Sequence, residues 1–176
     1  MSWTDFFEFI KEDLKHHGGK SFYQKIRVVL LDERFQLLFN YRLSALLEDS
    51  KIPFFPVIIK IILKYLNLIV FSSIISSHAK IGKRCKFNHP IGIVIGRAVI
   101  GDDVNIFQQV TVGSKGAENQ KMAFPKIGNN VIIYAHSVLL GDIMVRDNVI
   151  IAANSVVMKN LEKDGVYAGS PTKKIK

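Results

Sequence analysis

Aliphatic side chains return every six residues through the second half of the chain, and this spacing constrains the fold more than any other feature. A helix would bring them back every 3.6 residues and a half-buried strand every two. Six residues form one short flat strand and one turn, and three such units close a triangular coil. The pattern therefore predicts a mainly β chain, coiled as a parallel β-helix of about four coils. The anchors are Ile81, Phe87, Ile93, Ile100, Ile106, Val112, Ile127, Ile133, Leu139, Val145, Ile151 and Val157.

A second inward position follows most anchors four residues later and holds small or aliphatic side chains. Gly, Asn and Asp between the anchors suit corners with unusual backbone angles, and Asp102–Asp103 is interpreted as one such corner. Cys85 takes an inward position, so we expect a buried, unreactive thiol. It is the only cysteine, which excludes an internal disulfide and fits a reducing compartment. The second positions are Cys85, Val104, Val110, Val131, Ser137, Ile143, Val149 and Ser155.

The repeat is interrupted twice. One extra residue lies between Ile93 and Ile100, which predicts a small bulge at a corner. The polar, glycine-containing segment 114–126 breaks the count a second time, and we interpret it as a loop that projects from a corner, where functional residues often lie. The sequence therefore predicts a helical region over 1–75 and a β-helix domain over 76–176 that carries the loop.

The first 75 residues have helical spacing instead. Apolar residues recur at this spacing through 22–49, between a Gly-Gly pair and two prolines that act as breakers. Segment 54–75 is the most apolar, but Lys60 and Lys64 lie one helical turn apart within it, and charges at the centre of a membrane-spanning helix are costly. This favours an amphipathic helix that packs on its own protein or makes peripheral contact with a membrane surface.

The N-terminus carries early acidic residues and no long apolar run, so we expect no signal peptide and a cytoplasmic protein. Membrane contact through 54–75 would then be with the inner face of the cell membrane. The net charge of +9 favours anionic partners. Because the sequence has no nucleic-acid-binding module, phosphate groups on a cofactor are preferred to nucleic acid as the partner.

Three segments carry a family resemblance: NHPIGIVIGRAVIGDDVNIFQQVTVGSKG, PKIGNNVIIYAHSVLLGDI and VYAGSPTKKI. They resemble serine acetyltransferases and, more closely, the related colanic-acid and capsule acetyltransferases. The resemblance covers roughly residues 74–175 in motif detail. It implies a left-handed parallel β-helix, an acyltransferase that uses acetyl-CoA, and a homotrimer with acetyl-CoA sites in clefts between neighbouring β-helices.

The resemblance also implies the catalytic residue. His89 aligns with the family's general base, and it lies two residues after anchor Phe87, a position that points out of the coil. A histidine can take a proton from an alcohol at neutral pH and then protonate the departing CoA thiolate. By the same resemblance, the candidate residues for binding acetyl-CoA are Gly113, Ser114, Ala135, Ala153, Lys159, Lys173 and Lys174.

The sequence departs from the serine acetyltransferase pattern around the acceptor. Asn88 replaces the Asp before the catalytic His, Ile74 replaces an upstream acid, and Ala123-Phe124 replace an Arg-His pair. With these groups lost, we expect a carbohydrate hydroxyl as the acceptor, in surface polysaccharide synthesis, with Asn88 and Phe124 as contacts. The alternatives are a serine O-acetyltransferase of cysteine biosynthesis and a non-catalytic β-helix scaffold.

A zinc site is a further alternative, since some hexapeptide β-helix proteins are zinc carbonic anhydrases. Its ligands would be His78, His89 and His136, which must converge at a subunit interface. The three histidines lack the expected surrounding pattern, and we expect no metal.

Overall fold

The computed structural model describes residues 1–48, 55–116 and 122–176. Four helices come first: α1 (Trp3–His16), α2 (Phe22–Leu31), α3 (Glu33–Glu48) and α4 (Phe55–Phe71). Fifteen short strands follow in these ranges, numbered β1 to β15 in chain order, and they form three sheets. The helices end at Phe71 and the first strand begins at Ile74.

Each sheet is one face of a parallel β-helix. Face A contains β1 (Ile74–Ile75), β4 (Val94–Ile95), β7 (Thr111–Gly113), β10 (Val138–Leu140) and β13 (Val156–Val157). Face B contains β2 (Lys80–Ile81), β5 (Val99–Ile100), β8 (Lys126–Ile127) and β11 (Met144–Val145). Face C contains β3 (Lys86–Phe87), β6 (Asn105–Ile106), β9 (Ile132–Ile133), β12 (Val149–Ile151), β14 (Gly165–Ala168) and the antiparallel β15 (Lys173–Lys174). The predicted left-handed parallel β-helix is confirmed.

The aliphatic column lies where the period of six places it. Every predicted anchor is at most 3% exposed, and every second inward position is at most 4% exposed. Burial raises the pKa of the Cys85 thiol to about 12, which agrees with the expected inert cysteine. The coil count is about five rather than four, because β1 adds a strand to face A before the first anchor.

The register corrects the position of the bulge. Ile95, not Ile93, pairs with Val112 in the middle of face A. Eight residues therefore separate Phe87 from its successor Ile95, where the later coils use six. The corner from face C to face A holds two extra residues within 88–92, and the next corner is one residue short, which gives the net single insertion seen in the sequence.

The helical segment 22–49 is divided at Asp32, which adopts extended backbone and ends α2. Its carboxylate accepts hydrogen bonds from the Arg34 and Phe35 backbone N–H groups, so it caps the start of α3. Asp49, Pro53 and Phe54 lie outside the described residues. No helix among those described is long and apolar enough to cross a membrane.

The helices cover the open end of the β-helix, where the first coil has no neighbour to satisfy its backbone groups. The Tyr41 hydroxyl donates to Ala79 O at 2.8 Å and accepts from Ile81 N at 3.1 Å. The buried Arg42 guanidinium donates to the carbonyl groups of Ile81 and Gly82. These bonds attach α3 to β2 of face B and to the residues on either side of it.

Candidate active site

His89 lies on the two-residue insertion at the corner between faces C and A. Its backbone is left-handed, with φ of 49°, a conformation that few residues with a side chain adopt. The extra length lets the chain leave the coil, and the His89 side chain is exposed while Phe87 and Ile93 on either side are buried. A side chain on such a corner is accessible to a substrate.

No described residue forms a hydrogen bond with the His89 imidazole. Ile74, at the position of the family's acid, is an exposed apolar residue of β1 that pairs with Val94. Asn88 is half-buried and its amide lies 3.5 Å from Asn105 Oδ1. The orientation of His89 within one chain therefore depends on the backbone of its insertion, which hydrogen bonds attach to the segment before β1.

Two predicted cofactor-binding residues share this corner with His89. Ala135 and Ala153 occupy the same corner in higher coils, and hydrogen bonds join the successive corners, such as Asn154 N to Ala135 O at 3.0 Å. At about 4.8 Å per coil, Ala153 lies roughly 14 Å along the axis from His89. Lys173 pairs with Ala168 at the end of β14, on the side of face C that leads into this corner, and Lys174 follows it.

The other predicted residues lie at the opposite edge of face A. Gly113 ends β7, and Ser114 begins the loop at the corner between faces A and B. Phe124 returns the loop to the coil and packs on Gly96, because a Cβ placed there would lie 2.4 Å from its ring. Lys159 is exposed at the same edge, two coils above Gly113. The contact with Gly96 gives Phe124 a loop-anchoring role, and the part of Phe124 in acceptor binding stays a prediction.

One chain does not bring the two sets of residues together. His89, Asn88, Ala135 and Ala153 lie at one edge of face A, and Gly113, Ser114, Phe124 and Lys159 lie at the other. A face of about four residues separates the edges by roughly 10 Å. The outward side chains of this face are largely apolar, and Ile74 and Val94 are 48% and 38% exposed.

The histidines considered as zinc ligands are also separated. His78 lies at the corner between faces A and B and contacts Glu48 at 3.5 Å, whereas His89 and His136 lie at the corner between faces C and A. Among residues 1–48, 55–116 and 122–176, no group of three metal-ligating side chains converges.

Two grooves lie away from His89. One of about 520 Å³ runs between the helices and face B of the first coil, past Tyr41 and His78. A second of about 440 Å³ lies between α4 and β1 and includes Lys60, Lys64 and Ser73.

Sequence reasoning missed an aromatic pair beside the site. Phe107 and Tyr134 follow Ile106 and Ile133 on successive coils, and their ring centroids are 4.9 Å apart. Asn88 occupies the same column one coil below. Alignment of the coils by their anchors would have found this pair, because all three residues come directly after the face C anchor.

Comparisons with known proteins find one matching family model and several similar proteins. Residues 124–159 match the family model of the bacterial transferase hexapeptide (six repeats). The serine acetyltransferase of Staphylococcus epidermidis is 47% identical over 94 residues, which are 53% of this chain and 44% of that protein. The Staphylococcus aureus enzyme is 46% identical over 94 residues, with the same coverage. Over these 94 residues the chain is similar to serine acetyltransferases.

Solved structures extend the likeness to the helices. The Neisseria gonorrhoeae serine acetyltransferase has a TM-score of 0.84 at 26% identity and covers 99% of this chain and 68% of its own. The soybean enzyme complexed with serine has a TM-score of 0.83 at 26% identity, covering 98% and 70%. A serine acetyltransferase in complex with CoA has a TM-score of 0.81 at 27% identity, covering 98% and 71%.

These relatives correct the predicted acceptor. They are serine acetyltransferases, so the prediction of carbohydrate acetylation in polysaccharide synthesis is wrong, and the closer resemblance to colanic-acid and capsule enzymes has no support among them. The error came from the weight given to Asn88, Ile74, Ala123 and Phe124 against similarity spread over 94 residues. The prediction of an acetyltransferase agrees with the relatives. The chain spans about 44% of the length of the curated relatives that it matches.

Proposed function

We propose that the protein is an acetyl-CoA-dependent serine O-acetyltransferase with His89 as its general base. The observation that carries the proposal is the outward His89 on a two-residue insertion, in a chain that is similar to serine acetyltransferases. One solved relative is a complex with serine and another is a complex with CoA, which are the acceptor and one product of the proposed reaction.

The reaction needs one proton carrier. His89 removes the proton of the serine hydroxyl as its oxygen bonds to the acetyl carbonyl carbon. The C–S bond then breaks, and the imidazolium returns the proton to the leaving CoA sulfur. O-acetylserine and CoA are the products, and no acetyl group is attached to the enzyme. The proposed donor site uses the corner that carries Ala135 and Ala153, with Lys173 and Lys174 near the phosphates.

The proposed assembly is a homotrimer. In it, the His89 edge of one copy faces the loop edge of its neighbour, so that Gly113, Ser114, Phe124 and Lys159 of that neighbour complete the cleft. The apolar outer surface of face A supports this arrangement, because exposed apolar patches mark protein interfaces. Sedimentation equilibrium tests it, with three times the 19.9 kDa chain mass expected and a monomer as the contradicting result.

Contact of segment 54–75 with a membrane stays a separate prediction. α4 exposes apolar side chains including Ile58, Ile62 and Ile69, and a neighbouring copy would cover such a surface equally well. Vesicles of zwitterionic and of anionic lipid at equal concentrations distinguish the two alternatives. Binding to the vesicles would support membrane contact, and the absence of binding would favour a neighbouring copy.

Thiol release from acetyl-CoA tests the activity. L-serine should support turnover, and L-alanine, which lacks the hydroxyl, should not. Because Asn88, Ala123 and Phe124 replace charged groups, we expect weak binding of serine. The assay should therefore use serine concentrations well above about 1 mM, the upper end of the usual KM range. His89→Ala should lower kcat by about 10²- to 10⁴-fold. His16→Ala, an exposed histidine on α1, is the matched control and should be near wild type. No serine-dependent release, or full activity in His89→Ala, would refute the proposal.

A further inference from the structure

The segment that carries His89 is attached to the end of α4 by a set of short hydrogen bonds. Gly92 N donates to Phe71 O at 3.0 Å. The Ser73 hydroxyl lies 2.8 Å from Phe71 O and 3.2 Å from Pro90 O, and these carbonyls share its single proton. Ile93 N donates to the same hydroxyl at 3.0 Å. Residues 90, 92 and 93 are therefore attached to the segment that joins the helices to the first coil.

Ser73 is 1% exposed, so water does not replace these bonds. Most buried polar groups have a hydrogen-bond partner, and Ser73 supplies one to Pro90 O and to Ile93 N, which both follow His89 in the chain. Its backbone follows Ser72, which is held in left-handed conformation with φ of 48°. The contact thus joins a left-handed residue before β1 to the insertion that carries His89.

We propose that Ser73 is the positioning residue for His89. Ser73 orients His89 through hydrogen bonds to the backbone of the insertion, where an acid would orient it through a hydrogen bond to the imidazole. The inference rests on the proposed function in naming His89 as the base. The observations behind it are independent of that function. The imidazole has no hydrogen-bond partner among the described residues, and this corner is two residues longer than its equivalents in the later coils. In the part described, the only side chain that hydrogen-bonds the backbone of this corner from outside the coil is Ser73. A shift of about 1 Å in a catalytic group can cost 10²-fold in rate.

The chain offers a matched control. The Tyr41 hydroxyl also inserts between a carbonyl and a backbone N–H of the first coil, at 2.8 Å from Ala79 O and 3.1 Å from Ile81 N, and Tyr41 is 3% exposed. It lies on the side of the coil that leads into face B, away from His89. Tyr41→Phe therefore removes an equivalent pair of hydrogen bonds without touching the insertion.

Kinetics of Ser73→Ala, Ser73→Cys and Tyr41→Phe test the proposal. We expect Ser73→Ala to lower kcat by roughly 10- to 100-fold with KM for acetyl-CoA within about twofold, and Ser73→Cys, whose thiol is a weak donor and acceptor, to fall between. Tyr41→Phe should keep its kcat. In the His89→Ala background Ser73→Ala should have no further effect, because it acts through His89. Equal kcat losses in Ser73→Ala and Tyr41→Phe, or an undiminished Ser73→Ala effect without His89, would overturn it.

An activity-independent measurement separates this inference from the proposed function. The protein contains five histidines, so histidine-selective ¹³C labelling gives five Cε1–H resonances. Ser73→Ala should shift or broaden the His89 resonance and leave His16 and His78 unchanged, and Tyr41→Phe should leave His89 unchanged. If the wild-type protein does not acetylate serine but the His89 resonance shifts in Ser73→Ala, the proposed function is wrong and the positioning role is supported. An unmoved His89 resonance in Ser73→Ala and Ser73→Cys overturns the positioning role.

Discussion

The contact between Gly96 and Phe124 predicts that a single methyl group will loosen the loop that begins after β7. A Cβ added at Gly96 would lie 2.4 Å from Phe124 Cε1 and 2.8 Å from Cδ1. Ordinary carbon contacts are about 3.5–4.0 Å, so the ring must retreat by more than about 1 Å. Gly96→Ala should therefore cost about 1–3 kcal/mol, as overpacking does. At about 2–4 °C per kcal/mol for a chain of this size, Tm should fall by roughly 2–12 °C.

Thermal unfolding at one fixed protein concentration measures this loss, since oligomers have concentration-dependent stability. Gly113→Ala is the control, because its Cβ would meet only Leu140 Cδ2 at an ordinary 3.6 Å, and its stability should stay within about 0.5 kcal/mol. Phe124→Ala should relieve the clash, so that Gly96→Ala costs less than about 0.5 kcal/mol in that background. An equal loss with and without the ring, or none with it, would refute the reasoning.

Two further predictions concern titratable groups. Burial alone would raise the pKa of Asp32, but hydrogen bonds from Arg34 and the nearby His17 lower it to about 2, from 3.8. A depressed folded pKa stabilises above the unfolded value, so Asp32→Asn should cost about 2 kcal/mol at pH 7. The deficit should shrink as pH falls from about 4 to 2 in urea unfolding, and a constant deficit would contradict it. Cys85 should resist a thiol reagent until the protein is denatured, because it is fully buried. Rapid reaction in native protein would contradict that.

The β-helix could be predicted from the sequence because its signal is local and repeated. Each coil presents the same side-chain class at the same interval, so anchors such as Ile106, Ile133 and Ile151 are recognised without knowledge of any long-range contact. The position of the insertion could not be found in this way. Ile93 and Ile95 are both aliphatic and both buried, and only the pairing of Ile95 with Val112 shows which of them continues the column.

The candidate site shows the same division. His89 could be predicted as outward-facing, because it follows an anchor by two residues. The separation of Gly113 and Phe124 from His89 required the closed coil, since a linear count does not show which face each corner adjoins. The weight of the acceptor departures was misjudged, because four substitutions do not measure how closely the rest of the coils resemble those of the relatives.

The sequence by itself determined the fold class, the buried column, the buried cysteine and the outward position of His89, because each follows from the side-chain type at a fixed interval along the chain. The tertiary structure decided how the helices close the first coil and how the insertion is held. Tyr41, Arg42 and Ser73 act on backbone groups 17 to 40 residues away, and backbone carbonyls and N–H groups are the same in every residue. The residue type therefore does not show which backbone group a side chain will bond, and only the folded chain shows it.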